Sequence, residues 1–205
     1  MSQVYDRVAL IGLGLIASSI FWASKRNDVS SYITGFARSK ETRDTAKKIG
    51  LCDQVFDSVE EAVKDAHLVI LCVPVGAMEQ VMLEIAPFLK TGSTISDVGS
   101  VKRAVINAVE PHLPTDVKFI PAHPLAGTEH SGPESGFASL FDNRWCLLTD
   151  HISADKEAQN KLMIFWKSLG ANVEFMDADH HDLVLAVTSH APHLIAYTMV
   201  GVADD

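Results

Sequence analysis

Two stretches of the sequence contain the residues whose types and spacing could do chemistry. In the first, residues 8–19 read VALIGLGLIASS and place Gly12, Gly14 and Ala17 in the order G-x-G-x-x-A after a short apolar run. This pattern is typical of a dinucleotide-binding turn. The first glycine permits a tight turn, the second lets the backbone approach a pyrophosphate, and the small third residue lets the helix pack closely.

The pyrophosphate would lie at the N-terminus of the helix that follows, where unpaired N–H groups favour an anion. The alternative interpretation is a glycine-containing βα turn that binds nothing. Because the pattern falls on the first predicted strand of the chain, we favour nucleotide binding. The predicted cofactor-binding residues of this stretch are Gly12, Leu13, Gly14, Leu15, Ile16 and Ala17.

The second stretch is PAHPLAGTEHSG, residues 121–132, which is too rich in Gly, Pro and reactive side chains for an ordinary linker. His123 follows the predicted strand 117–120 and stands between Ala122 and Pro124. A neutral imidazole can take a hydroxyl proton when a hydride leaves an alcohol carbon. A lone histidine is more often structural, but this position favours His123 as a general base.

The elements that must position these residues alternate between strand and helix. Apolar patterning predicts strands at 8–11, 31–37, 54–56, 67–73, 93–97, 117–120, 145–149 and 172–175. It predicts helices at 15–25, 40–49, 59–63, 78–89, 137–141, 156–169 and 179–202. The order indicates an α/β protein with a Rossmann-like, doubly wound, mostly parallel sheet, followed by the start of an α-helical second domain.

Ligands of such sheets bind outside the carboxyl ends of the strands. Val73, Pro74 and Met78 follow a buried strand and are therefore predicted to face the nicotinamide half of the cofactor. Residues 97–102 (DVGSVK) reach the same edge, where Gly99 is predicted to bring the backbone close to a ligand. Ser100 is predicted to point its hydroxyl into the cleft, or to cap the next helix, or both.

The end of the second predicted strand bears on the choice of cofactor. NAD sites usually carry an acidic residue there for the ribose hydroxyls, but this chain has Ala37 followed by Arg38, Ser39 and Lys40. An arginine and a hydroxyl without the acid suit a 2′-phosphate, so we slightly favour NADP or dual use over NAD. Alternatively, these residues are only the polar cap and first turn of the next helix.

Composition excludes several classes of protein. The 205 residues are 47% hydrophobic, which argues against a disordered chain. The net charge of −9 and the lack of a basic run argue against nucleic acid or an anionic membrane as a binding partner. Three distant cysteines suggest neither disulfides nor a zinc knuckle. No signal peptide is apparent and no apolar run approaches membrane-spanning length, so we expect a cytoplasmic protein.

Three motifs, in this order, carry a family resemblance. They are DVGSVK at 97–102, HPLAGTEHSGP at 123–133 and HHDLVLAVTSHAPHLIAY at 180–197. Together they resemble prephenate dehydrogenases in the broad sense that includes arogenate and cyclohexadienyl dehydrogenases. The resemblance implies NAD(P)-dependent oxidative decarboxylation of prephenate or arogenate in tyrosine biosynthesis, with a dicarboxylate or amino-acid substrate and a homodimer once the second domain is present.

The resemblance also assigns roles to individual residues. It implies that His123 is the catalytic histidine, that Ser100 is the cleft serine, and that Thr128, Glu129 and His193 lie on the substrate side. Three positions depart from the common pattern of the family. Ala17 stands where many members have Gly, Ala37 where NAD-using members often have Asp, and Ala191 where Leu is common.

The predicted domains are a nucleotide-binding domain over 1–177 and the first helix of a truncated substrate and dimerisation domain over 178–205. The resemblance implies further helices and a basic residue that holds a substrate carboxylate. Within this chain, Lys102 and Arg144 are the basic residues near the predicted cleft motifs. We therefore expect nucleotide binding by this form, weaker catalysis than by a longer chain, and a last helix that self-associates or is poorly ordered.

Three other interpretations remain at this point. His180, His181, His190 and His193 invite a zinc site, but adjacent helical histidines point apart and the i,i+3 pair would need further ligands, so no metal is predicted. A β-hydroxyacid dehydrogenase would be expected to use a Lys base on the later helix, and residues 184–197 contain no Lys. A non-catalytic nucleotide-binding or interaction module is the third possibility.

Overall fold

The computed structural model describes residues 3–149 and 155–203, and its main feature is a six-stranded parallel sheet. The strands are β1 (Tyr5–Ile11), β2 (Ser30–Phe36), β3 (Gln54–Val55), β4 (Leu68–Leu71), β5 (Thr94–Asp97) and β6 (Lys118–Phe119). Their order is β3-β2-β1-β4-β5-β6, with every pairing parallel. This is the order of the Rossmann fold, so the predicted fold class is confirmed.

The apolar run of β1 lies between two separate cores. Val8 and Leu10 belong to one hydrophobic cluster, whereas Ala9 and Ile11 belong to the other. Side chains of a strand alternate between the two faces of its sheet, and a parallel sheet is covered by helices on both faces. A central strand must therefore be apolar at every position, as residues 8–11 are.

Eight α-helices are present in the described ranges. They are α1 (Leu15–Asn27), α2 (Lys40–Lys48), α3 (Val59–Val63), α4 (Met78–Ile85), α5 (Arg103–Val109), α6 (Lys156–Ser168), α7 (Ala178–Leu185) and α8 (Ala191–Ala203). The prediction of a helix over residues 137–141 was wrong, since a short 3₁₀ turn at Pro133–Ser135 stands before it and turns follow. The segment is held against α1 instead: the Phe137 amide donates to Ser19 Oγ, and a Cβ on Gly136 would clash with Ser18.

A second, three-stranded sheet contains the segment around His123. It is formed by β7 (Ala122–Pro124), β8 (Trp145–Thr149) and β9 (Asn172–Met176), with β7 antiparallel to β8 and β8 parallel to β9. The sequence predicted His123 just beyond the end of the preceding strand. It lies instead inside a strand of its own, paired with Leu147, so its backbone is fixed by sheet pairing as well as by its neighbours.

The last helical segment differs from the rest of the protein in its exposure. A π-helical turn, Ala186–His190, joins α7 to α8. Over Ala178–Val200 the mean hydropathy reaches 1.4, so by length and composition this helix could cross a membrane, and the prediction that no apolar run approaches that length was wrong. The run is hard to see in the sequence because Asp and His side chains interrupt it.

Candidate active site

The G-x-G-x-x-A turn is built as the sequence predicts. Gly12 has a φ of +98°, and a Cβ there would lie 2.5 Å from the carbonyl oxygen of Cys72 at the end of β4. Gly14 is the N-cap of α1 and makes no side-chain capping bond, and a Cβ at Gly14 would meet nothing within 4 Å. The helix therefore begins with free N–H groups beside open space, which fits a pyrophosphate.

The turn opens onto a cavity of about 400 Å³. Its lining includes Val73, Pro74, Arg38 and Ser39 together with Gly12, Leu13 and Gly14. Leu15 and Ile16 pack partly against the core, and Ala17 is fully buried, in agreement with its proposed packing role. The described residues thus bring the predicted phosphate turn and the loop after β2 to one edge of the sheet.

Two residues predicted to contact the cofactor, Met78 and Gly99, are buried. Met78 is 0% exposed and belongs to the core cluster under α4, whereas Ala77 and Val81 line the cavity. Gly99 is buried too, and its amide donates to Asp97 Oδ2. A Cβ at Gly99 would crowd Asp97 and Val105, so a glycine is needed for the chain to close over Asp97.

The loop after β2 contains the helix cap that one interpretation of the sequence predicted. Ser39 Oγ accepts from the Thr42 amide as the N-cap of α2, and Lys40 pairs with Asp44. Arg43 holds the loop by donating to the carbonyl oxygens of Ala37 and Arg38. The side chain of Arg38 is exposed and lines the cavity.

A second cavity, of about 740 Å³, lies between the β7 segment and the helices at the end of the chain. It brings together Ser100, His123, Thr128, Glu129 and His193, which are all the residues predicted for catalysis and substrate binding. Thr188, His190 and Tyr197 complete its polar lining. Residues of three distant motifs therefore share one site.

His123 is the buried titratable side chain of this cavity, with 8% of its surface exposed. Burial, and then the nearby positive charge of Lys102, lower the pKa of His123 to about 3. The imidazole is therefore neutral at physiological pH, as a general base must be. Its Nδ1 lies 2.9 Å from Nε2 of His181, which leaves Nε2 of His123 for a ligand.

Lys102 and Asp97 form a fully buried ion pair behind His123. The Nζ of Lys102 lies 2.5 Å from Asp97 Oδ2 and donates to the carbonyl oxygen of Ala122 at 2.6 Å. Asp97 Oδ1 in turn accepts from the Ala122 amide. Lys102 is therefore near the cleft motifs, as the sequence predicted, but its ammonium group is bound to Asp97 and to the residue before His123.

The same region corrects the prediction for the start of α5. Ser100 does not cap that helix; instead Asp182 of α7 accepts from the amides of Lys102 and Arg103. This leaves the Ser100 hydroxyl exposed in the cavity. Arg144 lies in the turn before β8 and is not among the lining residues, so the described lining contains neither Lys nor Arg.

The family model for "Prephenate dehydrogenase, nucleotide-binding domain" matches residues 22–175. The chain belongs to the prephenate dehydrogenase family. The matched region begins after the glycine turn and contains both DVGSVK and HPLAGTEHSGP.

Two curated relatives and one crystal structure extend this similarity. The cyclohexadienyl dehydrogenase of Zymomonas mobilis is 42% identical over 198 residues, which cover 97% of this chain and 67% of that protein. The prephenate dehydrogenase of Bacillus subtilis is 35% identical over 98% of this chain, which spans 54% of its length. The A. aeolicus prephenate dehydrogenase, crystallised with hydroxyphenyl propionate and NAD+, aligns with a TM-score of 0.89 at 28% identity, covering 98% of this chain and 70% of that one.

Sequence reasoning missed the two side chains that lie behind His123, His181 and Asp182. The sequence predicted these residues only as part of the last helix, 179–202, and His181 was considered as a zinc ligand, yet His181 is 1% exposed and contacts His123. The available signal was a His-Asp pair inside one of the three motifs by which this chain resembles prephenate dehydrogenases. Among residues 3–149 and 155–203, no group of three His, Cys, Asp or Glu side chains could hold a metal ion.

Proposed function

We propose that the protein oxidises and decarboxylates a cyclohexadienyl substrate, prephenate, arogenate or both, with a nicotinamide nucleotide as hydride acceptor. The observation that carries the proposal is a neutral, buried His123 on a cavity that also contains Ser100 and His193, next to a nucleotide-binding edge. Cyclohexadienyl and prephenate dehydrogenase names among the relatives support this substrate class. We further propose that the protein is cytoplasmic and forms a homodimer when the helical second domain is present.

The cofactor fits the residues that are present. Gly12, Gly14 and the free N–H groups of α1 would hold the pyrophosphate, and Arg38 and Ser39 would hold the adenosine ribose and its substituent. Bound NAD(P)+ supplies a hydride acceptor. The apolar turn at Val73 and Pro74 would pack beside the nicotinamide half and exclude water.

The residues of the cavity would move one proton. His123 accepts the proton of the ring hydroxyl on Nε2 while the hydride leaves the same carbon, and the Ser100 hydroxyl orients that oxygen. The bond between the ring and its carboxylate then breaks and CO₂ leaves. The electron pair of that bond stays with the ring and makes it aromatic. His123 returns the proton to the phenolic oxygen, so no net proton is consumed.

Turnover of prephenate and of arogenate with NAD+ and with NADP+ tests this function. We expect oxidation of at least one substrate, with CO₂ released in a one-to-one ratio to reduced nucleotide. A chain that binds the nucleotide but turns over neither substrate would favour the non-catalytic binding module. The β-hydroxyacid alternative is tested in the same assay with a small 3-hydroxy acid.

The choice of nucleotide is tested by Ala37→Asp. A carboxylate at this position accepts from the ribose hydroxyls and repels a 2′-phosphate, so the ratio of NADP+ to NAD+ affinity should fall about tenfold or more, equivalent to roughly 1.4 kcal/mol. Ala37→Asn is the matched control, because it adds a similar volume without the charge. The interpretation of this loop is wrong if the unaltered chain shows no measurable NADP+ binding.

A further inference from the structure

Behind His123, two side chains form a continuous line that leads away from the cavity. His181 Nε2 lies 2.9 Å from His123 Nδ1, and His181 Nδ1 lies 2.8 Å from Asp182 Oδ1. His181 is almost completely buried. Neither His181 nor Asp182 lines the nucleotide cavity or the cavity of His123, so direct contact with cofactor or substrate does not explain why they are there.

The far end of the line is an acceptor whose orientation is fixed. Oδ1 of Asp182 accepts from the amide of Lys102 at 2.6 Å, and Oδ2 accepts from the amide of Arg103 at 3.0 Å. Although partial burial acts to raise the pKa of Asp182, these two amides and His181 lower it overall. Asp182 is therefore an ionised carboxylate that can only accept hydrogen bonds.

An acceptor at one end decides the proton positions along the whole line. His181 must carry its proton on Nδ1 to donate to Asp182, and since burial lowers the pKa of His181, its ring is neutral and its Nε2 is an acceptor. His123 must then donate from Nδ1, which leaves its lone pair on Nε2. We propose that His181 and Asp182 are positioning residues that hold His123 in the tautomer whose Nε2 can accept the substrate proton; this inference rests on the proposed role of His123 as base.

The backbone and side chain of Lys102 connect Asp182 back to the residue before His123. Lys102, whose amide is held by Asp182, reaches with its Nζ to the carbonyl oxygen of Ala122, next to His123. The ring and the backbone of His123 are thus held from two sides by one network. A base held this way needs no reorganisation when the substrate arrives.

During turnover the network would stabilise the protonated base without taking its proton. Once Nε2 of His123 is protonated, the bond from Nδ1 to His181 becomes charge-assisted and stronger. The proton remains on His123 and returns to the product oxygen, while Asp182 stays ionised. This is the logic by which a buried carboxylate orients a catalytic imidazole in serine proteases.

Nitrogen NMR of the ¹⁵N-histidine-labelled chain tests the tautomer directly and needs no substrate. Both His123 and His181 should show a protonated, pyrrole-type Nδ1 and an unprotonated, pyridine-type Nε2 at neutral pH, and the pattern of His123 should persist to below pH 6. A protonated Nε2 on His123 at neutral pH, in the unaltered chain, would overturn the proposal.

Variants at position 181 test the consequence for activity. His181→Phe keeps a ring of similar size but removes the acceptor, so His123 should show a mixture of tautomers and kcat should fall roughly 10- to 100-fold, with KM within about twofold. His181→Gln keeps an acceptor oxygen near the same place and should recover part of the loss. His180→Phe is the matched control, because His180 is exposed and should leave tautomer and kcat unchanged.

The outcomes separate this inference from the proposed function. If the unaltered chain turns over neither substrate but His123 shows the expected tautomer, the proposed activity is refuted and the tautomer assignment is supported. If His181→Phe keeps both full turnover and a single Nδ1–H tautomer, the positioning role is refuted while the activity stands. Should His181→Phe fail to bind nucleotide, the tautomer of the unaltered chain and the activity of His181→Gln decide the matter.

Discussion

The two cavities of the protein are built in different ways. The nucleotide cavity is lined mostly by turns of one sheet edge, with residues between positions 12 and 81 joined by Gly132. The larger cavity joins residues 123–129 to residues 185–197, which belong to separate elements far apart in the sequence. Local sequence patterns therefore describe the first cavity, whereas the second exists only when the last helix docks on the sheet domain.

The central strand β1 and the last helix α8 also differ in how far their apolar side chains are buried. Residues 8–11 are at most 1% exposed, whereas Leu194, Ile195, Tyr197 and Met199 are 60–77% exposed. Residues 8–11 of β1 are fully buried in the core, whereas α8 exposes an apolar face of the kind that usually binds a partner. Changes in the sheet domain should therefore affect stability and chemistry, and changes on α8 should affect assembly.

The largest effect is expected at the base itself. His123→Asn should lower kcat by roughly 10²–10⁴, the usual contribution of a positioned general base. The Kd of the nucleotide should stay unchanged, because His123 lines the other cavity. Stopped-flow turnover and nucleotide titration of the same preparation measure both, and undiminished turnover would remove His123 from the mechanism.

The buried ion pair should be the next most sensitive point. Lys102→Met leaves the Asp97 carboxylate buried without its counter-ion, and we expect the free energy of unfolding to fall by roughly 3–5 kcal/mol. The double variant Asp97→Asn with Lys102→Met buries no charge and should be less destabilised than the single variant. Urea denaturation of the three proteins checks this, and an equal or larger loss in the double variant would show that charge is not the cause.

A smaller effect should appear in the pH dependence. A base with an ordinary pKa of about 6.5 loses tenfold in kcat/KM about one pH unit below that value. Burial, and then the charge of Lys102, lower the pKa of His123 to about 3, so its neutral form persists as the pH falls through 6.5. The acidic limb of kcat/KM should therefore lie below pH 6, and a limb centred at 6.5 or above would contradict this environment for His123.

The same lowered pKa has a consequence for stability. The unfolded chain takes up a proton on this histidine below about pH 6.5, while the folded chain does not, so acid should reduce the free energy of unfolding. Comparing His123→Asn with the unaltered chain isolates this contribution.

Substitutions on the exposed apolar face of α8 should have the smallest effect on stability. Leu194→Lys with Ile195→Lys should change the free energy of unfolding by less than about 0.5 kcal/mol, because neither side chain is buried. The same double variant should sediment as a smaller species if copies of the chain associate through α8. Equal sedimentation of the two proteins would show that this face does not assemble the 205-residue chain.

Much of the fold was predictable because its signals are local. The apolar runs gave the positions of the parallel strands, and β8 begins and ends at the predicted residues, Trp145–Thr149. The predicted helix over 137–141 failed because its segment is held by Ser18 and Ser19 of α1, a contact with no trace in the local pattern. The contacts of Lys102 were not predictable either, since its partners Asp97 and Ala122 lie on two different strands.

By itself, the sequence determined the Rossmann-like order of elements and the glycine turn, and it singled out His123 as the candidate base, because each depends on spacing along the chain or on a motif within it. Only the tertiary structure decided that Met78 is core, that Asp182 rather than Ser100 caps α5, and that His181 stands behind His123. These facts concern which side chains meet across more than fifty residues of sequence, as His123 and His181 do. A hydrogen bond depends on the distance and angle between donor and acceptor. The order of residue types along the chain does not specify either quantity for side chains that are distant in sequence.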